Sequence, residues 1–238
     1  MTEQDNTVIK NLDKLQQTFS TSSQLQLIRQ IAEQGEKSQE ALLELLVNRR
    51  VIKKDNLSNL DSILFEVLNS TNINKIKHGI KRYFDNGLID LESSFMINYQ
   101  PLQELLISQK FQEADKLTQM YLCQLASLND ESKRKWLYFT DIYLLPGEEL
   151  LVLDLLWRTY SRGKFGFSVQ RQLWLSNNRD WEKLWEVIGW KSHGISYRYP
   201  NEFNWNITAP HGHLPLFNQL RGVQALSALF DHIVWSQQ

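Results

Sequence analysis

Proline and tryptophan are missing from the first 90 residues of this 238-residue chain. All five prolines lie at or beyond Pro101, and all eight tryptophans at or beyond Trp136. So sharp a shift in composition places a domain boundary near residues 86–98, where DNGLIDLESSFMI interrupts the helical pattern. Cysteine is almost absent as well. Cys123 alone excludes an internal disulfide framework and a cysteine-based zinc cage, and it fits a reducing compartment. Net charge is also lacking: 26 basic and 27 acidic residues leave −1, which excludes a general electrostatic grip on nucleic acid or an anionic membrane. No apolar run approaches the length of a membrane span. The polar start, MTEQDNTVIKNLDKL, is unlike a secretory or transit peptide. A cytoplasmic protein, or one made inside an organelle, is the expectation.

What is present is a core. Hydrophobic residues make up 42% of the chain, enough to exclude wholesale disorder. In residues 1–90 the apolar positions recur at helical spacing: Leu25, Ile28, Ile31; Leu42, Leu45, Leu46; Leu57, Leu60, Leu64, Val67, Leu68; Ile73, Ile76, Ile80, Tyr83. Gly35 ends one helix, Asp55 or Asn56 is a candidate cap for another, and Asn69-Ser70-Thr71 reads as a turn. This part is expected to form a small helical bundle. Its basic stretch, KIKHGIKRYF (75–84), reads as the solvated face of an amphipathic helix in preference to an anion contact.

Residues 91–238 form the second expected domain. Two helices span 99–126 with a break around Lys110. WLYFTDIYLL (136–145) follows and stops at Pro146-Gly147, and EELLVLDLLWRTYSR continues as a helix whose first turn places Glu148 and Glu149 at the positive end of the dipole. The chain then enters YSRGKFGFSVQ (160–170), where Gly163 and Gly166 alternate with Lys164, Phe165 and Phe167 ahead of Ser168, a candidate N-cap. The glycines are reminiscent of a phosphate loop, yet no Walker lysine-serine pair or kinase motif accompanies them. A turn that buries two phenylalanines is the preferred reading. Helical patterns resume in SVQRQLW and WEKLWEVIGW. Periodicity then fails from 190 to 220, in a segment carrying Trp190, Tyr197, Tyr199, Phe203, Trp205 and Phe217, before a final helix, RGVQALSALFDHIVW. A loop of about thirty residues inside a compact domain is uncommon and is usually functional or disordered, and this one is too aromatic for a linker.

Catalytic groups are thinly spread. His211 and His213 bracket a glycine without a third metal ligand at a recognisable spacing, and Pro210 and Pro215 favour a rigid turn. Cys123 reads as a packing residue, and the adjacent Glu148 and Glu149 point apart on a helix. A binding module is the better reading: the aromatic loop offers flat apolar area, while Arg198 and Arg221 offer bidentate donors for carboxylates. Whether the aromatics form a ligand surface or merely cover the core stays open on the residues alone.

Several separated motifs then carry a resemblance. LPGEELLVLDLLW (145–157), YSRGKFGFSVQRQLW (160–174), FQEADKLTQMYL (111–122) with its E-A-D-x-x-T, IGW (188–190) and APHGHLP (209–215) together resemble the genomes-uncoupled-four family, over about residues 95–238. The N-terminal part resembles the extra bundle of cyanobacterial members. The resemblance implies an all-α fold with a cupped apolar surface and a long aromatic loop. It implies a non-catalytic regulatory protein of chlorophyll biosynthesis that binds protoporphyrin IX and Mg-protoporphyrin IX, requires no cofactor, and stimulates magnesium chelatase through that enzyme's large porphyrin-binding subunit. One cup wall would fall on Phe139, Ile142 and Tyr143, and the loop would add Tyr197, Tyr199 and Phe203. Tyr199 stands where some relatives carry tryptophan. Asn218 and Arg221 would complete the site, Asn218 near a water on the ligand's magnesium and Arg221 on a propionate. No direct metal ligand is expected, and His213 reads as structural. A monomer is implied, cytoplasmic in a cyanobacterium or stromal in a plastid, at most peripheral to the thylakoid membrane. A bilin or haem carrier using the same cup, or a helical protein–protein adaptor, is the alternative.

Overall fold

A computed structural model describes residues 15, 18, 20–126, 136–216, 223–232 and 234–235. The chain divides into two compact units, residues 1–90 and 91–238.

In the first unit, α1 (Thr21–Ala32), α2 (Glu36–Val47), α3 (Asn59–Asn69) and α4 (Asn74–Phe84) pack on one another in sequence order, with a π-turn at Asn48–Ile52 closing α2. Most of the helical spacing read from the sequence lands on the core: Ile28, Ile31, Leu42, Leu46, Leu64, Leu68, Ile76 and Ile80 are buried, Leu25, Leu45 and Val67 are partly buried, and Tyr83 is instead exposed. The start of α3 differs from the expectation. Its cap is Ser58, not Asp55 or Asn56: Asp61, three residues on, accepts from the Ser58 backbone N–H at 2.9 Å and its hydroxyl at 2.7 Å. Asp61 is also gripped by Arg49 from the π-turn, at 2.7 and 3.2 Å, so one buried carboxylate closes the helix and holds the preceding loop. On α4, Ile76, Ile80 and Phe84 face inward while the basic residues of the stretch line the exposed side.

The second unit is built around α8 (Gly147–Thr159). Leu150, Leu153, Leu156 and Trp157 of this helix are fully buried. Before it come α5 (Gln100–Ile107), α6 (Phe111–Leu125) and α7 (Phe139–Ile142); after it come α9 (Phe167–Ser176), α10 (Trp181–Val187) and α11 (Val223–Phe230). Trp157 stacks on Phe111 at 6.1 Å, and Phe165 meets both rings edge-on. Its indole N–H donates to the Thr118 hydroxyl at 3.0 Å, tying α8 to α6. Glu149, in the first turn of α8, is buried and accepts from the Met96 N–H at 2.7 Å and the Tyr99 hydroxyl at 2.5 Å.

The glycine turn is a packing device, as preferred above. Phe165 and Phe167 are both fully buried. Ser168 is not the N-cap, however. It lies one residue inside α9, and its N–H and hydroxyl donate to Asp154 of α8 at 2.8 and 2.7 Å. A carboxylate from a neighbouring helix thus caps α9 in place of a local side chain. The segment after α10 opens with a two-residue antiparallel hairpin, β1 (Lys191–Ser192) and β2 (Ile195–Ser196), paired Lys191 with Ser196 and Ser192 with Ile195. His193 and Gly194 make its tip with φ of 50° and 80°, the backbone twist that short hairpins favour. No helix among the described residues is long and apolar enough to cross a membrane.

Candidate functional site

The aromatic loop is built from its own rings. Phe203 is only 5% exposed and lies at the centre. Tyr197 meets it edge-on at 6.1 Å, Trp205 lies at 6.3 Å, and the ring of His213 lies at 5.7 Å. Tyr199 stands on Trp205 at 5.9 Å and 89°. The Trp205 indole N–H donates to the Pro200 carbonyl at 2.9 Å, and Glu202 accepts from the Arg198 N–H at 2.7 Å. A loop closed by such local bonds can hold its outer rings in place at little entropic cost on binding. Tyr199 is 39% exposed, Tyr197 half-buried.

His213 is the foot of this loop. A carbonyl only accepts and an amide only donates, so two contacts define its tautomer. Nδ1–H donates to the Ile188 carbonyl at 2.6 Å, and Nε2 accepts the Asn204 N–H at 3.1 Å. Burial holds its pKa below the usual histidine value. Both nitrogens are therefore committed, which matches the structural reading and leaves none for a metal. Among the described residues no three His, Cys, Asp or Glu side chains converge as a metal site.

The segment leading out of the loop is fixed on several sides. The Trp190 indole donates to the His213 carbonyl at 2.8 Å, and Gly166 N–H to the Leu214 carbonyl at 3.0 Å. The buried Gln170 amide donates to the carbonyls of Gly212 and Pro215, each at 2.9 Å. Finally Leu216 N–H donates to Asp115 of α6 at 2.6 Å. Asp115 is buried, and loss of hydration pushes its pKa up to about 7 against the pull of Leu216 N–H and Lys116. Tyr199 is raised by burial first and then by the Asp115 charge.

The second exposed aromatic surface is α7, a single turn where the sequence offered a ten-residue apolar segment. Tyr138 is extended, and Asp141 accepts its N–H at 2.7 Å to start the turn. Pro146 in extended backbone stops anything longer before α8. Phe139 is 45% exposed and Tyr143 65%, with Tyr138 and Leu144 exposed beside them. Helix α11 packs against this turn from behind.

The predicted site residues therefore fall into three groups. Phe139, Tyr143 and Tyr199 present rings to solvent, with Tyr197 partly so. Ile142 and Phe203 are buried and have no surface to offer a ligand in this structure; Ile142 is the one residue of its short helix that faces the core, and Phe203 is the loop's own centre. Asn218 and Arg221 lie outside the described residues. Sequence reasoning missed Asp115, Asp154, Glu149 and Gln170. Each is a buried polar side chain that bonds a different element, 14 residues away for Asp154 and Ser168 and 101 for Asp115 and Leu216. The only signal was the E-A-D-x-x-T pattern, whose Asp115 and Thr118 prove to hold Leu216 and Trp157.

Comparison with known proteins adds to this geometry. Residues 92–233 match the family model described as GUN4-like, and residues 1–85 match an ARM-like repeat domain described as GUN4-N terminal. The chain is 44% identical over 236 residues to the ycf53 protein of Porphyra purpurea, covering 97% of this chain and 98% of that one. It is 34% identical over 143 residues to the tetrapyrrole-binding protein, chloroplastic, of Arabidopsis thaliana, covering 56% and 54%. The solved structure of GUN4 from Chlamydomonas reinhardtii superposes with a TM-score of 0.56 at 36% identity, over 62% of this chain and 95% of that one.

Proposed function

The chain belongs to the GUN4-like family, and from that premise we propose that it is a tetrapyrrole-binding regulatory protein, taking protoporphyrin IX and Mg-protoporphyrin IX and stimulating magnesium chelatase without turnover of its own. The observation that carries this reading is the self-supporting aromatic loop, fixed from below by His213 and showing Tyr199 to solvent. A porphyrin face is wide, rigid and apolar, so it gains most from flat rings that are already in place. Burying about 200 Å² of it would contribute roughly 5 kcal/mol before association costs. Phe139 and Tyr143 offer further area of the same kind. The propionates need charge-assisted donors, the role assigned to Arg221. A magnesium in the bound macrocycle is cargo; it keeps water readily, and Asn218 would hold that water.

All eight tryptophans lie in the proposed binding half, which makes intrinsic fluorescence the direct test. Titration with deuteroporphyrin and its magnesium complex is expected to quench tryptophan emission saturably, in residues 91–238 alone as in the full chain. Added to magnesium chelatase subunits with ATP and magnesium, the protein is expected to raise the rate of metal insertion. Absence of quenching would refute binding; product formed without chelatase subunits would refute the non-catalytic role.

A further inference from the structure

We propose that the end of the first unit at which α2 and α4 finish is a docking surface for an anionic lipid bilayer, with Val51 and Ile52 entering at headgroup depth between basic side chains. Two contacts fix how these helices lie. Lys75, in the first turn of α4, pairs with Glu40 of α2 at 2.6 Å. About one turn further along both helices, a side chain at Gly79 would run into Leu43. The contacts advance together, so α2 and α4 run in the same direction. The π-turn that follows α2 and the last turn of α4 therefore lie at one end of the unit.

Apolar side chains at that end face water: Ile52 is 71% exposed, Val51 40% and Tyr83 43%. The turn that presents them is held firmly. Lys53 N–H donates to the Asn48 carbonyl and Asp55 N–H to the Arg49 carbonyl, each at 2.8 Å. Arg49 is bound to Asp61 and Asp55, and Arg50 donates to the Asp55 carbonyl, so the base of the turn is tied inward while residues 51–54 are exposed. Lys53 and Lys54 flank the apolar tip. Lys81 and Arg82 are exposed at the end of α4, with the Arg82 guanidinium 5.4 Å from the Tyr83 ring centre. Among the described residues none of these four cations is ion-paired. Of the acids, Asp55 and Asp61 are neutralised by Arg49, Asp85 is exposed beside Phe84, and Glu36, Glu40 and Glu44 lie back along α2. The near-zero charge of the whole chain thus conceals a local positive excess.

A single exposed aliphatic side chain needs no explanation. Two adjacent ones, beside an exposed tyrosine and unpaired lysines, have the composition of a peripheral membrane contact. A protein partner would need a recess shaped to this tip, whereas the interfacial zone of a bilayer accepts aliphatic groups and lysine heads without one.

The test is co-sedimentation of the full chain, without porphyrin, with vesicles of equal parts phosphatidylglycerol and phosphatidylcholine, beside vesicles of phosphatidylcholine alone. Binding is expected to the anionic vesicles only, and is expected to be lost in about 0.5 M salt, where screening acts within a few ångströms. A basic residue at an anionic surface contributes about fivefold in affinity, so Lys53→Ala with Lys81→Ala is expected to weaken binding about 25-fold. Ile52→Ser removes apolar area at an exposed position and is expected to weaken it about tenfold. Thermal midpoints should not move in either variant. Undiminished vesicle binding in either variant overturns the proposal, as does equal binding to both vesicles or binding to neither. Binding to polyglutamate that survives Ile52→Ser, without vesicle binding, would instead assign the surface to an acidic protein partner. The two variants alter different elements of the contact, so a loss of fold in one leaves the other to decide.

Discussion

The Asp154 carboxylate occupies the space that a side chain at Gly166 would need. A Cβ built there would sit 2.7 Å from Asp154 Oδ1 and 3.0 Å from Arg158 Cγ, at a φ of 133° that side-chain-bearing residues rarely adopt. The same carboxylate accepts the Ser168 N–H and hydroxyl and lies 2.9 Å from Arg158 Nε. Gly166 is therefore glycine for two independent reasons, close approach and backbone conformation. Gly166→Ala is expected to destabilise the fold by about 1–3 kcal/mol, read as a lower urea midpoint at unchanged m-value. Nucleotides should have no effect on that midpoint.

His213 makes a prediction of opposite character, in pH. Its folded pKa lies below the ordinary 6.5, so as pH falls the unfolded chain takes up the proton first. The stability that the neutral ring supplies is complete above 6.5 and is lost as pH falls through that value toward the folded pKa. His232, which is likewise lowered by burial, acts in the same direction. His213→Ala is expected to cost about 2–4 kcal/mol at pH 7.5, since it leaves the Ile188 carbonyl and Asn204 amide without their partner. Calorimetric melts across pH 5–8 would show a shallower acid-side slope in the variant.

Asp115 shifts stability the other way. Its pKa rises from 3.8 in the unfolded chain to about 7 in the folded one. Between these values the folded state holds the proton that the unfolded state has released, so stability falls as pH rises from 4 to 7 and is flat above. Asp115→Asn removes this cost. It is expected to stabilise the protein by up to about 4 kcal/mol at pH 8, and by almost nothing at pH 4. Urea unfolding at the two pH values distinguishes this from a general packing effect, which would appear at both.

Arg221→Ala is expected to weaken porphyrin binding about tenfold with circular dichroism unchanged, and Arg221→Lys to recover only part. A hydrogen bond to a charged group contributes about 1.5–3 kcal/mol, and solvent at a rim pushes the effect to the low end. The esterified porphyrin, without carboxylates, should bind wild type and variant alike. Equal loss of both ligands would assign Arg221 to the fold and not to the propionate.

By itself the sequence determined the helical character of the protein and the change of composition near residue 90. Both are local: 3.6-residue spacing brings Ile28, Ile31, Leu42, Leu46, Ile76 and Ile80 to one side of their helices whatever they later pack against. The burial of Phe165 and Phe167 was legible for the same reason, since glycines on either side of aromatic residues specify a tight turn. Tertiary structure decided what the polar residues do. Ser168 looked like a cap because serine before an apolar repeat usually is one; Asp154 took that role by arriving from another helix. Asp61, Glu149 and Asp115 are unremarkable acids in the sequence and buried anchors in the fold, because a carboxylate is retained inside only where hydrogen-bond donors converge on it. Tertiary packing also separated the site's apolar residues, leaving Tyr199 and Phe139 facing water while Phe203 and Ile142 are buried. Periodicity cannot make that distinction in an irregular loop or a single helical turn, where no repeat exists to say which way a side chain points.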